Sequence, residues 1–292
     1  MELKLRGLYV PLITPFTADG SLDPGSLEKL AHTVLDAGAA GLVALGTTGE
    51  HATLTAAERR TVLDTCARVA RSRGVPLIAG AGSNDTAGSA AAVGDLAAWP
   101  EIAAALVVVP YYTRPSEDGV VAHFTRLAEQ SPVPLVVYNI PYRTGRALSG
   151  ETLLRLAAVP GIAGIKHAAG GIDDATMTLM AGAPDGFAVL GGDDLYVSPL
   201  LALGAAGGIL ACSHLRTAEF AALIAAWHAG DVPRARAITR RLAPLARALF
   251  AEPNPVVIKG VLHAQGLIAS PAVRLPLLPA TPAAVNAALA LA

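Results

Sequence analysis

Lysine is scarce in this sequence. Lys4, Lys29, Lys166 and Lys259 are the only four among 292 residues, and arginine supplies nearly all the remaining positive charge. Lys166 stands at the end of the apolar run Ile162-Ala-Gly-Ile-Lys166. Burying an ammonium there is costly, and the environment answers by lowering its pKa, which yields the neutral amine needed to attack a ketone. Arginine cannot do this, because its guanidinium stays protonated. An ordinary role stands beside the chemical one: a lysine snorkelling to a rim, or pairing with a carboxylate such as Asp193. Tyr138 shifts the balance, since it ends another apolar run and its phenol can shuttle protons while a carbinolamine and an imine form. Thr47 and Tyr112 can extend that shuttle, because hydroxyls both donate and accept. As ordinary residues, Thr47 and Thr48 would cap a turn and Tyr111 and Tyr112 would pack at an interface. Arg143, in Ile140-Pro-Tyr-Arg-Thr-Gly145, offers a planar fork for a substrate carboxylate, or is a solvated loop charge.

A metal-dependent route to the same carbon chemistry would need ligands. Asp173-Asp174 and Asp193-Asp194 are candidates for a divalent ion that stabilises an enolate. The seven histidines, however, include no close pair such as His-x-His, and Asp173-Asp174 reads as a helix N-terminus. The expectation is therefore catalysis without a metal or cofactor.

Elements that could bring these residues together are visible as short runs rich in Val, Ile and Leu. They lie near Tyr9 to Thr14, Gly41 to Leu45, Val75 to Ala79, Ala104 to Val109, Val133 to Tyr138, Ile162 to Lys166, Phe187 to Leu190 and Gly207 to Ala211. All are continuous rather than alternating, as strands covered on both faces should be. Helical stretches separate them. Asp23-Pro24 reads as a cap and first turn with Gly38 as the stop, and Thr55-Ala-Ala-Glu58 as a capping box. Val62, Cys66, Val69 and Ala70 share one helical face, and Phe220, Leu223, Ile224 and Trp227 share another. Eight such units predict a (β/α)₈ TIM barrel, for which ~250 residues is typical. An open doubly wound sheet would carry a glycine-rich loop after its first strand, and Thr14-Pro-Phe-Thr17 is not one. From about residue 230 the pattern is helical only, with Ile238, Leu242, Leu245 and Leu249 in register and Pro244 expected to kink the helix. The expected division is a barrel over 1–229 and a C-terminal helical appendage over 230–292.

In such a barrel the chemistry sits at the carboxyl ends of the strands, and the residues there are polar. Gly46-Thr-Thr-Gly-Glu50 follows the second run, Asn84 the third, Tyr111-Tyr112 the fourth and Tyr138-Asn139 the fifth. Lys166 ends the sixth, Gly192-Asp-Asp194 follow the seventh and Ser213-His214 the eighth.

Composition narrows the partners. Apolar residues make up 53% and charged residues 15%, which excludes disorder, and a net charge of -1 gives no electrostatic reason to bind nucleic acid or an anionic membrane. Small-molecule chemistry remains. The opening Met1-Glu-Leu-Lys-Leu-Arg6 reads as neither a signal nor a transit peptide, so a cytoplasmic location is expected. Leu195 to Leu215 is long and apolar, but Pro199, Gly204 and Gly207-Gly208 break it into a buried helix and strand. Cys66 and Cys212, the only cysteines, read as small core residues.

Taken together, Gly46-Thr-Thr-Gly-Glu50, Pro110-Tyr-Tyr-x-Arg-Pro-Ser116, Tyr138-Asn-Ile-Pro141, Arg143-Thr-Gly145, Gly164-Ile-Lys166, Gly192-Asp-Asp194 and Glu252-Pro-Asn-Pro255 resemble, in order, the dihydrodipicolinate synthase and N-acetylneuraminate lyase family of pyruvate-dependent class I aldolases. The resemblance covers essentially the whole chain. It implies a lyase in which Lys166 is the Schiff-base lysine, Tyr138 the principal proton donor and acceptor, and Thr47 and Tyr112 its relay, with Tyr112 coming from a neighbouring subunit of a homo-oligomer, a dimer or a tetramer of dimers. It further implies that Thr48, Gly192 and the backbone at Ile209 bind pyruvate. Arg143-Thr-Gly145 is similar to the synthase branch, where the arginine takes the carboxylate of aspartate semialdehyde on the route to lysine and diaminopimelate. The alternatives are another Schiff-base aldolase, lyase or dehydratase of the family, and a ligand-binding paralogue without turnover. His51, Tyr142 and His167 depart from the family pattern, and Tyr142 bears on the aldehyde side of the pocket. By strand alternation the His167 side chain should point away from Lys166.

Many relatives are inhibited by lysine bound at a subunit interface. Asn84 and Tyr111 match that site, but Ala56 and Gly88 stand where the lysine-sensitive enzymes have His and Glu. Without the glutamate, the effector's ammonium loses a charged hydrogen-bond partner worth ~1.5 to 3 kcal/mol. Initial rates in millimolar lysine should match those without it, and strong inhibition at that concentration would show that other groups bind the ammonium.

Overall fold

The computed structural model describes residues 5–292; the opening residues 1–4, on which the reading of the N-terminus partly rests, lie outside them. Eight parallel strands form a closed barrel in chain order. They are β1 (Gly7–Pro11), β2 (Gly41–Ala44), β3 (Leu77–Ala81), β4 (Ile102–Val108), β5 (Leu135–Asn139), β6 (Ile162–His167), β7 (Ala188–Gly191) and β8 (Gly207–Ile209). The eight apolar runs are thus the eight strands, with ends displaced by up to three residues. Tyr138 and Lys166 are each the penultimate rather than the last residue of their strands. Nearly every strand residue is buried, which is why apolar side chains are continuous along them.

Helix starts follow the sequence chemistry. The Asp23 carboxylate accepts from the Ser26 N–H at 3.0 Å, and the helix Pro24–Asp36 begins on Pro24. Thr55 and Glu58 form the reciprocal capping box of helix Ala56–Arg73, an arrangement typically worth ~1 kcal/mol. That helix buries Val62, Cys66, Val69 and Ala70, and burial pushes the Cys66 thiol up to about 12, so it is inert at neutral pH. Phe220, Leu223 and Ile224 are buried on helix Thr217–His228, while Trp227 is half-buried. Asp173 caps helix Asp174–Gly182, as expected, and the helix Val232–Leu249 runs through Pro244 without a break. Among the described residues, no helix is long and apolar enough to cross a membrane.

Contacts gather the chain into two compact units, one built on Ile78–Ile209 and the other on Leu8–Leu77 with Leu210–Ala292. In the first, Gly207 brings β8 against the start of the chain. A Cβ at Gly207 would lie 2.0 Å from the Gly7 carbonyl oxygen, so only glycine fits. In the second, His214 ties Ala211 to the segment that follows β1. Its Nε2 accepts from the Ile13 N–H at 3.1 Å while Nδ1 lies 2.7 Å from the Ala211 carbonyl, and burial pushes its pKa down to about 4. Ser213 donates to the Leu210 carbonyl at 2.6 Å. The polar pair after β8 is therefore structural.

Candidate active site

In the first unit, parallel pairing sets Tyr138 of β5 directly beside Lys166 of β6. Residues paired in register on neighbouring strands project to the same face. The Lys166 ammonium nitrogen accordingly lies over the Tyr138 ring, 4.2 Å from its centroid. Both side chains are buried, Lys166 to 6% exposure. Desolvation pulls the Lys166 pKa down to about 8, against the opposing pull of Asp194 and Asp193. No ion pair to Lys166 occurs among the described residues, so the Asp193-paired alternative does not hold. Asp193 instead accepts from the Gly170 N–H at 2.7 Å, and burial pushes its carboxyl above the usual range.

Gly192 gives the lysine its room. A Cβ there would come within 3.0 Å of Lys166 Cγ and 3.1 Å of Cε, displacing the stem that carries the amine. His167 faces the other way, as alternation requires: its Nε2 lies 2.9 Å from the Thr176 hydroxyl and its Nδ1 3.3 Å from the Asn139 amide. It adds no charge beside Lys166, because burial lowers its pKa.

Arg143 lies on the short helix Pro141–Thr144 that directly follows β5. Its Nε donates to the Tyr142 hydroxyl at 3.1 Å, and its guanidinium carbon sits 5.4 Å from the Tyr142 ring centroid. Tyr142 thus occupies one edge of the guanidinium and leaves the two terminal nitrogens as the remaining fork. Both side chains are exposed. The Tyr111-to-Ser116 loop reaches this helix through Arg114, since a Cβ at Gly145 would fall 2.8 Å from Arg114 Nε. Tyr112 on that loop is 88% exposed and left-handed, with φ +68, a conformation that costs a bulky residue on the order of 1 to 3 kcal/mol. Ile209 ends β8 and is fully buried.

In the second unit, Thr47–Gly49 form one 3-10 turn after β2. Neither threonine caps it, which corrects the ordinary reading of the pair. The Thr47 hydroxyl makes no hydrogen bond among the described residues, and the Thr48 hydroxyl accepts from the Asn254 amide at 2.9 Å. Glu50 closes the turn at φ +50. Its carboxylate forms a buried ion pair with Lys259 of helix Val256–Ala264 and accepts from the Arg274 N–H at 3.0 Å. Lys259 Nζ also donates to the Ala272 carbonyl at 2.9 Å and lies 4.1 Å from the Phe16 ring centroid. Breaking such a pair on one side typically costs ~3 to 5 kcal/mol, so this cluster fixes the turn.

Asn254 and Lys259 were not singled out as functional from the sequence. Lys259 carried the same signal as Lys166, a rare lysine in an apolar stretch, and its pKa is likewise lowered to about 8 by burial. Its engaged carboxylate is what separates the two. No group of side chains able to hold a metal ion occurs among the described residues.

Residues 4–290 match the dihydrodipicolinate synthetase family. The 4-hydroxy-tetrahydrodipicolinate synthase of Moorella thermoacetica is 42% identical over 274 residues, covering 94% of this chain and 92% of that protein. Among solved structures, the dihydrodipicolinate synthase of Thermotoga maritima superimposes with a TM-score of 0.94 at 34% identity, covering 99% of this chain and 98% of that one. The chloride-inhibited dihydrodipicolinate synthase of Acinetobacter baumannii, solved in complex with pyruvate, gives 0.93 at 36% identity over 98% of both chains. With a buried, unpaired lysine in register with a tyrosine and a sequence match over nearly its whole length, the chain belongs to the dihydrodipicolinate synthetase family of aldolase-type lyases.

Proposed function

We propose that this chain runs the 4-hydroxy-tetrahydrodipicolinate synthase reaction, condensing pyruvate with aspartate semialdehyde, through Lys166 and Tyr138. The observation that carries this reading is the unpaired, desolvated Lys166 amine over the Tyr138 ring. The neutral amine attacks C2 of pyruvate, the carbinolamine loses water, and the resulting imine loses a proton from C3 to become the enamine that attacks the aldehyde carbon. Each step moves a proton, and Tyr138 is the buried hydroxyl that gives and takes it. Thr47, whose hydroxyl is uncommitted, and Tyr112, presented outward to a second copy in a homo-oligomer, extend the relay. Thr48 and the backbone at Ile209 hold the pyruvate carboxylate, and Gly192 keeps the lysine stem clear. A relative solved with pyruvate supports the substrate. Residues 230–292 act as an appendage to the barrel of 1–229, contributing no strand but supporting the Thr47–Gly49 turn. The reaction belongs to the cytoplasm, where small-molecule biosynthesis proceeds.

Arg143 selects the aldehyde. With Nε engaged by Tyr142, its terminal nitrogens receive the carboxylate of aspartate semialdehyde end-on. Because the guanidinium is exposed, its loss should be felt at the low end for a charged hydrogen bond, ~1.5 kcal/mol or about tenfold. Arg143→Ala should raise KM for aspartate semialdehyde by that factor while pyruvate trapping stays unchanged, and Arg143→Lys should recover part of it. Equal losses for aldehydes with and without the carboxylate would make Arg143 structural and favour a different aldehyde.

A further inference from the structure

We propose that Asn254 is a positioning residue for Thr48, filling the acceptor side of its hydroxyl so that the hydroxyl proton is directed at the carboxylate of the 2-oxoacid. The proposal rests on the reading that Thr48 binds that carboxylate. Two threonines packed around this turn spend their protons on backbone, Thr14 donating to the Gly49 carbonyl at 2.7 Å and Thr53 to the Glu50 carbonyl at 3.0 Å, while Thr47 makes no hydrogen bond among the described residues. Thr48 differs. It is 3% exposed, its oxygen receives the Asn254 amide at 2.9 Å, and its proton has no acceptor among the described residues. A hydroxyl with an occupied lone pair and an unspent proton is a donor awaiting an acceptor, and a carboxylate is the strongest acceptor a 2-oxoacid offers.

The direction of the bond matters. Asn254 Oδ1 is shielded from solvent and has no partner among the described residues. With the amide reversed, Oδ1 would take the Thr48 proton and the hydroxyl would present only lone pairs to an anion. The surroundings also hold the two residues in register. Lys259, five residues beyond Asn254, is ion-paired with Glu50, two residues beyond Thr48, so the same two segments are tied twice.

The test is the pyruvate concentration that half-saturates borohydride trapping on Lys166, measured in the full chain with no aldehyde present. Asn254→Ala should raise it by about three- to tenfold, the span of one hydrogen bond's net contribution. Asn254→Asp should raise it further, because a carboxylate only accepts and therefore takes the Thr48 proton. A packing role predicts the opposite order, since Asp is nearly isosteric with Asn, and that order would overturn the proposal. The Asp variant also decides the matter if Asn254→Ala does not fold. KM for aspartate semialdehyde at saturating pyruvate should stay within about twofold for both variants. Thr48→Val should raise the half-saturating concentration by about tenfold or more, and Asn254→Ala added to it should have no further effect. Additive losses would overturn the proposal alone. A silent Thr48→Val would refute the role of Thr48 itself, and the proposal with it.

Discussion

Replacing Lys166 by arginine should abolish the reaction, lowering kcat/KM by more than about 10³-fold and removing all borohydride trapping of pyruvate. Arginine keeps the charge and much of the stem, but its guanidinium does not deprotonate, so the loss isolates nucleophilicity from electrostatics. Mass analysis of the wild type after reduction should place one pyruvyl adduct on the peptide containing Lys166. Labelling on Lys259 would redirect the chemistry to the other buried lysine. The Glu50 carboxylate and the Ala272 carbonyl hold the Lys259 ammonium, and breaking those bonds must precede any attack by its amine. The pH dependence follows from the same burial. Desolvation lowers the Lys166 pKa to about 8, so the neutral amine dominates above that pH and is lost as pH falls through it. At pH 7 roughly a tenth of the enzyme holds the free amine, against well under a thousandth for an ordinary lysine. The trapping rate should therefore rise about tenfold per pH unit below 8 and level off above. A rate that continues to climb to pH 10 would mean that the lysine is not depressed.

Tyr138→Phe should slow turnover by about 10² to 10⁴, the usual contribution of a positioned acid or base. The substitution keeps the ring, and with it the contact to Lys166, and deletes only the oxygen. Pyruvate should still be trapped on Lys166, more slowly, because the amine remains desolvated and aimed. The separation is diagnostic: a large fall in turnover with adduct formation retained marks proton transfer as the lost step. Near wild-type turnover would remove Tyr138 from the relay. A loss of trapping as complete as in Lys166→Arg would mean that the phenol is required before attack, to hold the lysine rather than to move its protons.

The barrel was legible in the sequence because burial on both faces of a parallel strand leaves a continuous apolar run, and all eight runs became strands. Helix starts were equally legible where they depend on a few adjacent residues, as at Asp23-Pro24 and Thr55 to Glu58. Strand ends were not, because they depend on neighbours. β1 begins at Gly7 rather than Tyr9 since the Gly7 N–H is used by the Ala206 carbonyl 199 positions away in the chain. Lys166 and Tyr138 were identifiable from residue type and place, and the register Tyr138 to Lys166 made them neighbours.

Sequence alone determined the barrel, the identity of Lys166 as an unusual lysine and the direction in which His167 points, all of which follow from local periodicity and the cost of burying charge. Only the tertiary structure decided which buried lysine is committed to a carboxylate and which has no ion-pair partner, because an ion pair between Glu50 and Lys259 spans 209 positions and leaves no periodic trace. It likewise decided that Thr48 accepts from Asn254 across 206 positions, and that a side chain at Gly192 would collide with Lys166. The meeting of hydrogen-bonding groups remote in the chain and the clearance between side chains depend on how the elements pack, which residue order does not encode locally.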